Sequence, residues 1–421
     1  MYLNRKVSKR STGSQEVYNL FNFIGREEMI KFSHRITSIK PSATLGINAK
    51  ANELAAAGKE VISLAVGQPD FAPPPSVIEG ARDALEKGLT KYTAAAGMPE
   101  VREAIASYYN SFYGAGVEKE NVIITNGGKQ GLYNLMQVLL DEGDEVLIPA
   151  PYWLSYPDMV LLAGAKPVVV PTEVENNFLV TPQELEKKYT SATRMLILNT
   201  PSNPTGCHYS QEKFDEICKW ALSRGLFVIS DEIYDQLVYP PATPTSISKW
   251  LREYPEHIAI VNGLAKSFAI PGWRVGYVIS HVEVIKNLSK LQGQSTSNVC
   301  TLVQMATLRA LTSEMSFLEE NRKKFMERRD YIVERISSWR DVVCPVPTGA
   351  FYVFPRMDAL YGGEIQNSTA LCEYLLEEAG VALVPGVAFG DDRCIRFSYA
   401  VDIAVLEKAL DKVNEALKRL C

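Results

Sequence analysis

The sequence predicts an α/β protein: a large domain built on a mostly parallel sheet flanked by helices, plus a smaller α+β domain. Three observations predict it. Through the middle of the chain, apolar runs of about five residues alternate with helical patterns, as strands and crossover helices do in a sheet covered on both faces. Glycine, asparagine and acidic residues follow several of those runs directly, where open α/β sheets gather their ligands. After Gln304 the pattern changes to a long charged helical stretch and a last amphipathic helix.

Composition narrows the function classes. A chain of 421 residues with 46% hydrophobic and 22% charged residues can bury more than one core without disulfides. Lys plus Arg number 44 against 49 Asp plus Glu, a net charge of −5, so no general attraction for nucleic acid or anionic lipid is expected. The apolar stretch Met159 to Ala165 stops at Lys166, far short of the roughly 18 residues of a membrane span. The cysteines number seven, widely spaced and without a C-x-x-C pair, and the four histidines are scattered. No metal site is expected from them, and reduced thiols point to a cytoplasmic protein.

The elements follow in order. Residues 1–31 read as a disordered extension. Arg5, Lys6, Lys9 and Arg10 with Ser11, Thr12 and Ser14 have the flavour of a transit peptide, but Glu16, Glu27 and Glu28 break it, and Met29 is an alternative start. Residues 32–72 are expected to contribute to the small domain, and the run from Pro69 to Pro75 reads as an extended connector. The large domain is expected over 73–305, with buried strands at Val122–Thr125, Glu145–Pro149, Met195–Asn199, Leu226–Ser230, Ile258–Asn262 and Arg274–Ser280. In Gly128–Leu140, Leu132, Leu135, Met136, Leu139 and Leu140 share one helical face. The small domain is expected over 306–421, with a helix near Glu319–Arg340 and another from Ile403 to the end.

The strand ends carry the chemistry. Thr125-Asn126-Gly127-Gly128-Lys129 opens a helix, and backbone N–H groups there can close on a phosphate, although a plain strand-to-helix turn reads the same way. Asn203 precedes a proline that holds it extended. Asp231, at the end of a buried run, needs either a positive partner or a helix to cap. Lys266 lies between Leu264-Ala265 and Ser267-Phe268. A lysine in partly apolar surroundings has a lowered pKa and can form a Schiff base with a carbonyl. Arg274 follows eight residues later and can supply a second phosphate contact. An amine, an anion cradle, an acid and hydrogen-bond donors together are the needs of pyridoxal 5'-phosphate.

From about Phe32 to the C-terminus the chain resembles the class I aminotransferases of fold type I, and among them the bacterial-type aspartate aminotransferases. The resemblance rests on Gly67-Gln68-Pro69-Asp70-Phe71, Lys91-Tyr92, Gly127-Gly128-Lys129-Gln130, Pro151-Tyr152-Trp153, Asn203-Pro204-Thr205-Gly206, Asp231-Glu232-Ile233-Tyr234, Ala265-Lys266-Ser267-Phe268 and Arg396-Phe397-Ser398-Tyr399, in that order.

The resemblance implies a role for each matching residue. Lys266 is similar to the lysine that holds the cofactor and then shuttles the proton. Asp231 matches the acid beside the pyridine nitrogen. Tyr234 and Asn203 match donors to the ring oxygen, and Trp153 the aromatic on the ring face. Gly127, Gly128 and Arg274 match phosphate contacts, and Tyr92 one that crosses to a neighbouring subunit, so a homodimer is implied. Arg396 matches the grip on the substrate α-carboxylate, and Gly67 a close backbone approach to substrate. Animal-type aspartate enzymes carry an arginine near Gln292–Ser297 for the distal carboxylate, and none stands there. In the bacterial-type subgroup the lysine of G-G-K-Q, here Lys129, has that role, with hydroxyls matching Ser42 and Thr44. Ala265 replaces a serine of some relatives, which removes one donor from the phosphate cup.

The implied reaction is transamination between L-aspartate and 2-oxoglutarate, with prephenate as the alternative partner or a broader specificity. Lyase and decarboxylase chemistry use the same scaffold. A regulator would need a DNA-binding module, and the first 31 residues have no helix-turn-helix pattern.

Overall fold

The computed structural model describes residues 30–41 and 43–420. The extension before Ile30, Ser42 and the Thr44 side chain lie outside the described residues. Helix α1 (Ala43–Ala56) and strand β1 (Ile62–Ser63) precede the Pro-rich connector. Helices α2 (Pro75–Glu86) and α3 (Pro99–Tyr113) each open on proline, whose missing N–H costs nothing in a first turn. The sheet region then runs β2 (Val122–Thr125), α4 (Gly128–Leu139), β3 (Glu145–Ala150), α5 (Ser155–Leu162), β4 (Lys166–Pro171), β5 (Thr193–Asn199), α6 (Gln211–Leu222), β6 (Phe227–Asp231), β7 (Ile258–Gly263) and β8 (Gly276–Ser280).

These strands form one seven-stranded sheet in the order β2-β8-β7-β6-β5-β3-β4. β8 runs antiparallel to both neighbours, and the pairs β7-β6, β6-β5, β5-β3 and β3-β4 are parallel. Alternation along each strand splits the core in two. Ile124, Leu147, Leu196, Val228 and Ile260 face one cluster with Val101 and Ile105 of α3 and Phe214 of α6. Ile123, Ile148, Ile197, Ile229 and Val261 face the other, with Leu132 and Leu135 of α4 and Met159 of α5. Each such aliphatic side chain, fully buried, stabilises the fold by roughly 1.5–3 kcal/mol before entropy is counted.

Helices α7 (Val282–Gly293), α8 (Thr301–Leu311) and α9 (Phe317–Ser337) follow, then β9 (Tyr352–Val353), α10 (Ser368–Glu378), β10 (Val381–Ala382), β11 (Val384–Pro385), β12 (Ile395–Ser398) and α11 (Ile403–Leu417). Phe325 and Ile332 of α9, Leu371 of α10 and Leu410 of α11 bury against β9 and β12 in a separate core. β1, before the connector, pairs parallel with β10.

Three expectations change. Arg274 is not in a strand: it takes a left-handed conformation at φ 57, and β8 begins at Gly276. β4 was not expected. The division between 305 and 306 falls inside α8, whose buried Ala306 and Ala310 pack in the sheet's core, and a division after Leu311 fits that packing.

Candidate active site

The strand directions decide which residues can meet. β2, β3, β5, β6 and β7 all end on one edge of the sheet, and β8, being reversed, starts there. The turns after Thr125, Ala150, Asn199, Asp231 and Gly263, and the residues just before Gly276, therefore converge. Between that edge and the second unit lies a cavity of about 350 Å³.

Asp231 sits at its floor, 5% exposed. Tyr156 Oη donates to its carboxylate at 2.6 Å and Ile233 N at 3.3 Å. Burial pushes its pKa up to about 6, against the pull of those donors and of Lys266. Asn199 Nδ2 donates to the Asp231 carbonyl at 2.9 Å while its Oδ1 accepts from Asn203 N at 2.9 Å, which locks the turn carrying Asn203. Lys266 Nζ donates to the Gly67 carbonyl and lies 5.9 Å from the Tyr234 ring centre. Burial first, then Arg396 and Arg274, lower its pKa to about 8, with Asp231 opposing. The hydroxyls of Tyr234 and Tyr352 are 3.0 Å apart.

The cavity is rich in cations. Gly127 has φ 85, and a Cβ there would meet the Arg274 guanidinium at 2.7 Å, so glycine allows that arginine to lie on the helix start. Arg274 donates to Pro271 O at 2.8 Å and Asn126 O at 3.4 Å. Arg396 is 3% exposed; it donates to Asn203 Oδ1 at 2.9 Å and to the Ala65 carbonyl. Its Nε is buried with no partner among the described residues. No carboxylate pairs with Arg274 or Arg396 among the described residues. Lys129 Nζ stands 4.7 Å from the Trp153 ring centre; burial, then Arg274, lower its pKa while Asp158 opposes. A buried guanidinium left without an anion is costly, and the arrangement is suited to receiving carboxylate and phosphate groups.

The residues singled out from the sequence fall into two groups. Gly67, Asn203, Asp231, Tyr234, Lys266 and Arg396 line this cavity together, as do Gly127, Gly128, Lys129, Trp153 and Arg274. Tyr92 does not. It is 91% exposed on the surface of the chain. Ser42 and the Thr44 side chain lie outside the described residues. Sequence reasoning missed Tyr156, Asn199 and Tyr352, which line the same cavity. Asn199 ends a strand already singled out, a usable signal. Tyr352 hides in the apolar run Gly349–Phe354.

The model of the family described as aminotransferase class I and II matches residues 59–413. The chain belongs to this family. It is 40% identical over 98% of its length to a bifunctional aspartate aminotransferase and glutamate/aspartate-prephenate aminotransferase of Petunia hybrida, covering 88% of that protein. It is 39% identical to an aspartate aminotransferase of Geobacillus stearothermophilus, over 92% of this chain and 99% of the other. Among solved structures, an aspartate aminotransferase of Thermus thermophilus with maleate superposes with a TM-score of 0.87 at 40% identity, over 92% of this chain and all of that one. This class I aminotransferase thus has the fold type I architecture: a mainly parallel sheet with flanking helices and a smaller second unit.

Proposed function

We propose that the protein transfers an amino group between L-aspartate and 2-oxoglutarate, giving oxaloacetate and L-glutamate, with pyridoxal 5'-phosphate as cofactor. The observation that carries the reading is the buried Arg396, which no carboxylate pairs among the described residues, sharing one cavity with Lys129. Two cations give two places for carboxylates. That a Thermus thermophilus relative was solved with maleate, a dicarboxylate, supports the same pocket chemistry.

The residues fit the cofactor. The buried Asp231 lacks a cationic partner within hydrogen-bond reach among the described residues, Lys266 is a partly desolvated amine, and Arg274 leans on a glycine helix start. When bound, pyridoxal phosphate supplies a ring that draws electrons from the substrate Cα. Asp231 would keep a facing ring nitrogen protonated, its own pKa falling back as that charge arrives. Gly128 with the α4 N-terminus and Arg274 would bind the phosphate, and Trp153 would cover the ring face. Tyr234 and Asn203 would donate to the ring oxygen, with Tyr352 holding the Tyr234 hydroxyl. Arg396 would hold the α-carboxylate in two parallel bonds and so orient the Cα–H. Lys266, with a pKa near 8, would take that proton on Nζ and return it.

Tyr92, exposed on one chain, would complete the phosphate site of a second copy, making the working form a homodimer. The six described cysteines are free thiols, consistent with a cytoplasmic setting. Relatives named for both aspartate and prephenate favour prephenate as the second reading. Kinetics with oxaloacetate and prephenate as competing acceptors decides between them. Absence of aspartate-dependent glutamate formation from 2-oxoglutarate would sink the proposal.

A further inference from the structure

Directly after Asp231 comes a second acid that turns the other way. Glu232 is fully buried on the α3 side of the sheet. Its carboxylate accepts from Ser230 Oγ at 2.8 Å, Ser246 Oγ at 2.9 Å, Ile247 N at 3.1 Å and Tyr109 Oη at 3.3 Å. Its own N–H donates to the Val261 carbonyl of β7 at 2.8 Å. The bonds continue beyond it. Asn262 Nδ2 donates to Tyr109 Oη at 2.7 Å, and Asn262 Oδ1 accepts from Gly263 N at 2.6 Å. Gly263 ends β7, three residues before Lys266. The next acid, Asp235, accepts from Tyr113 Oη at 2.9 Å and Tyr108 Oη at 3.2 Å; burial first, with the Asp235 charge adding to it, pushes the Glu232 pKa up to about 7.

No lysine or arginine bonds Glu232 among the described residues. A carboxylate buried against neutral donors alone is an expensive way to fill space. What distinguishes it from a packing residue is where its bonds lead. One side chain is tied to the end of the strand bearing Asp231 and, through Tyr109 and Asn262, to the end of the strand leading to Lys266. Hydrogen-bonded chains of this kind hold a local geometry more tightly than their separate members.

We propose that Glu232 is a positioning residue, whose relay through Tyr109 and Asn262 sets how Asp231 and Lys266 face each other. The inference deepens the functional reading above, which makes Lys266 the reactive amine, but its test needs no cofactor. Asp231 raises the affinity of Lys266 for its proton. Slackening the relay lets that charge drift from Lys266, and a move of about 1 Å between opposite charges a few ångströms apart lowers the lysine pKa by roughly 0.3–0.5.

The experiment labels the cofactor-free protein with acetic anhydride across pH and reads Lys266 modification by peptide mapping. In E232Q the labelling midpoint should fall by roughly 0.3–0.5 pH unit. Y109F, which removes one hydroxyl and spares the carboxylate, should lower it similarly, and the double variant no further. Tm of Y109F should stay within about 3 °C of wild type. Unchanged midpoints in folded variants, or shifts that simply add, would overturn the proposal and leave Glu232 as an anchor for the Ser246–Ile247 turn. Should E232Q not fold, Y109F alone decides by the same midpoint. Failure of the wild type to transaminate would count against the functional reading without touching this result.

Discussion

Arg396 and Asn203 meet across the junction between the two units: the guanidinium on β12 donates to Asn203 Oδ1 in the turn after β5 at 2.9 Å. The proposed α-carboxylate clamp is therefore built from both sides of the cleft. The Tyr352 ring, 4.7 Å from the guanidinium carbon, backs it. With Nε unpartnered among the described residues, R396K should keep a charge and lose the fork. We expect kcat/KM for aspartate to fall about ten- to a hundredfold in R396K, one charge-assisted bond of roughly 1.5–3 kcal/mol. R396A should lose considerably more. Equal losses in the two variants would mean that charge and fork are not separable here.

Lys266→Ala should abolish turnover, because covalent anchor and proton carrier disappear together. Borohydride reduction of the holoenzyme followed by peptide mapping should place the pyridoxyl label on Lys266. A label on any other lysine refutes the assignment.

The lowered Lys266 pKa also has a stability signature in the cofactor-free protein. Its folded value of about 8 lies below the usual 10.5, so between those values the unfolded chain holds the proton and the folded chain does not. Stability attributable to this group therefore rises with pH across that window. Below about pH 8 the cost is fully present, up to roughly 3 kcal/mol. K266M should be the more stable protein at pH 7, and wild type should gain on it steadily from pH 8 to 10.5. Denaturant midpoints at matched pH measure it, and a constant gap would refute the shift.

Lys129 is expected to serve the distal carboxylate. A mobile ammonium over the Trp153 ring can follow acids of different length. K129A should reduce kcat/KM for aspartate and glutamate about ten- to a hundredfold and leave alanine nearly untouched. A common loss on all three substrates would make Lys129 a structural residue of the helix start.

Tyr92 carries the assembly prediction. Light scattering at micromolar concentration should return a dimer, and Y92F should hold the cofactor more weakly with unchanged mass. A fully active monomer contradicts the shared site.

How much of this was legible beforehand follows from local physics. Buried strands such as Val122–Thr125 and Ile258–Asn262 read as continuous apolar runs because both faces of the sheet are covered. Lys266, Asp231 and Asn203 stood out because polar groups follow buried apolar runs there, although a cap or a turn reads the same way for the last two, and Arg396 came into view only through the family resemblance. β4 was not. It is an edge strand holding Pro167 and Pro171 with mostly part-exposed side chains, and proline on an edge imitates a loop. Arg274 was read into a strand because nothing in the sequence marks a left-handed arginine. Tyr156 and Tyr352 were missed since a tyrosine on a core face shows neither which way its hydroxyl points nor what waits there.

The opposed directions of Asp231 and Glu232 make the site sensitive to a kind of error that substitutions never test. The two acids are consecutive, so a slip of one position in β6 would turn each of them to the opposite face. Glu232 would then point into the cleft with a side chain one carbon too long, and Asp231 would fall short of Ser246 and Tyr109. The pairing of Asp231 with Asn199 on one side and Val261 on the other forbids that slip, because every apolar neighbour would change faces with it. A single inserted or deleted codon in this strand should thus silence the enzyme even where the chain still collapses.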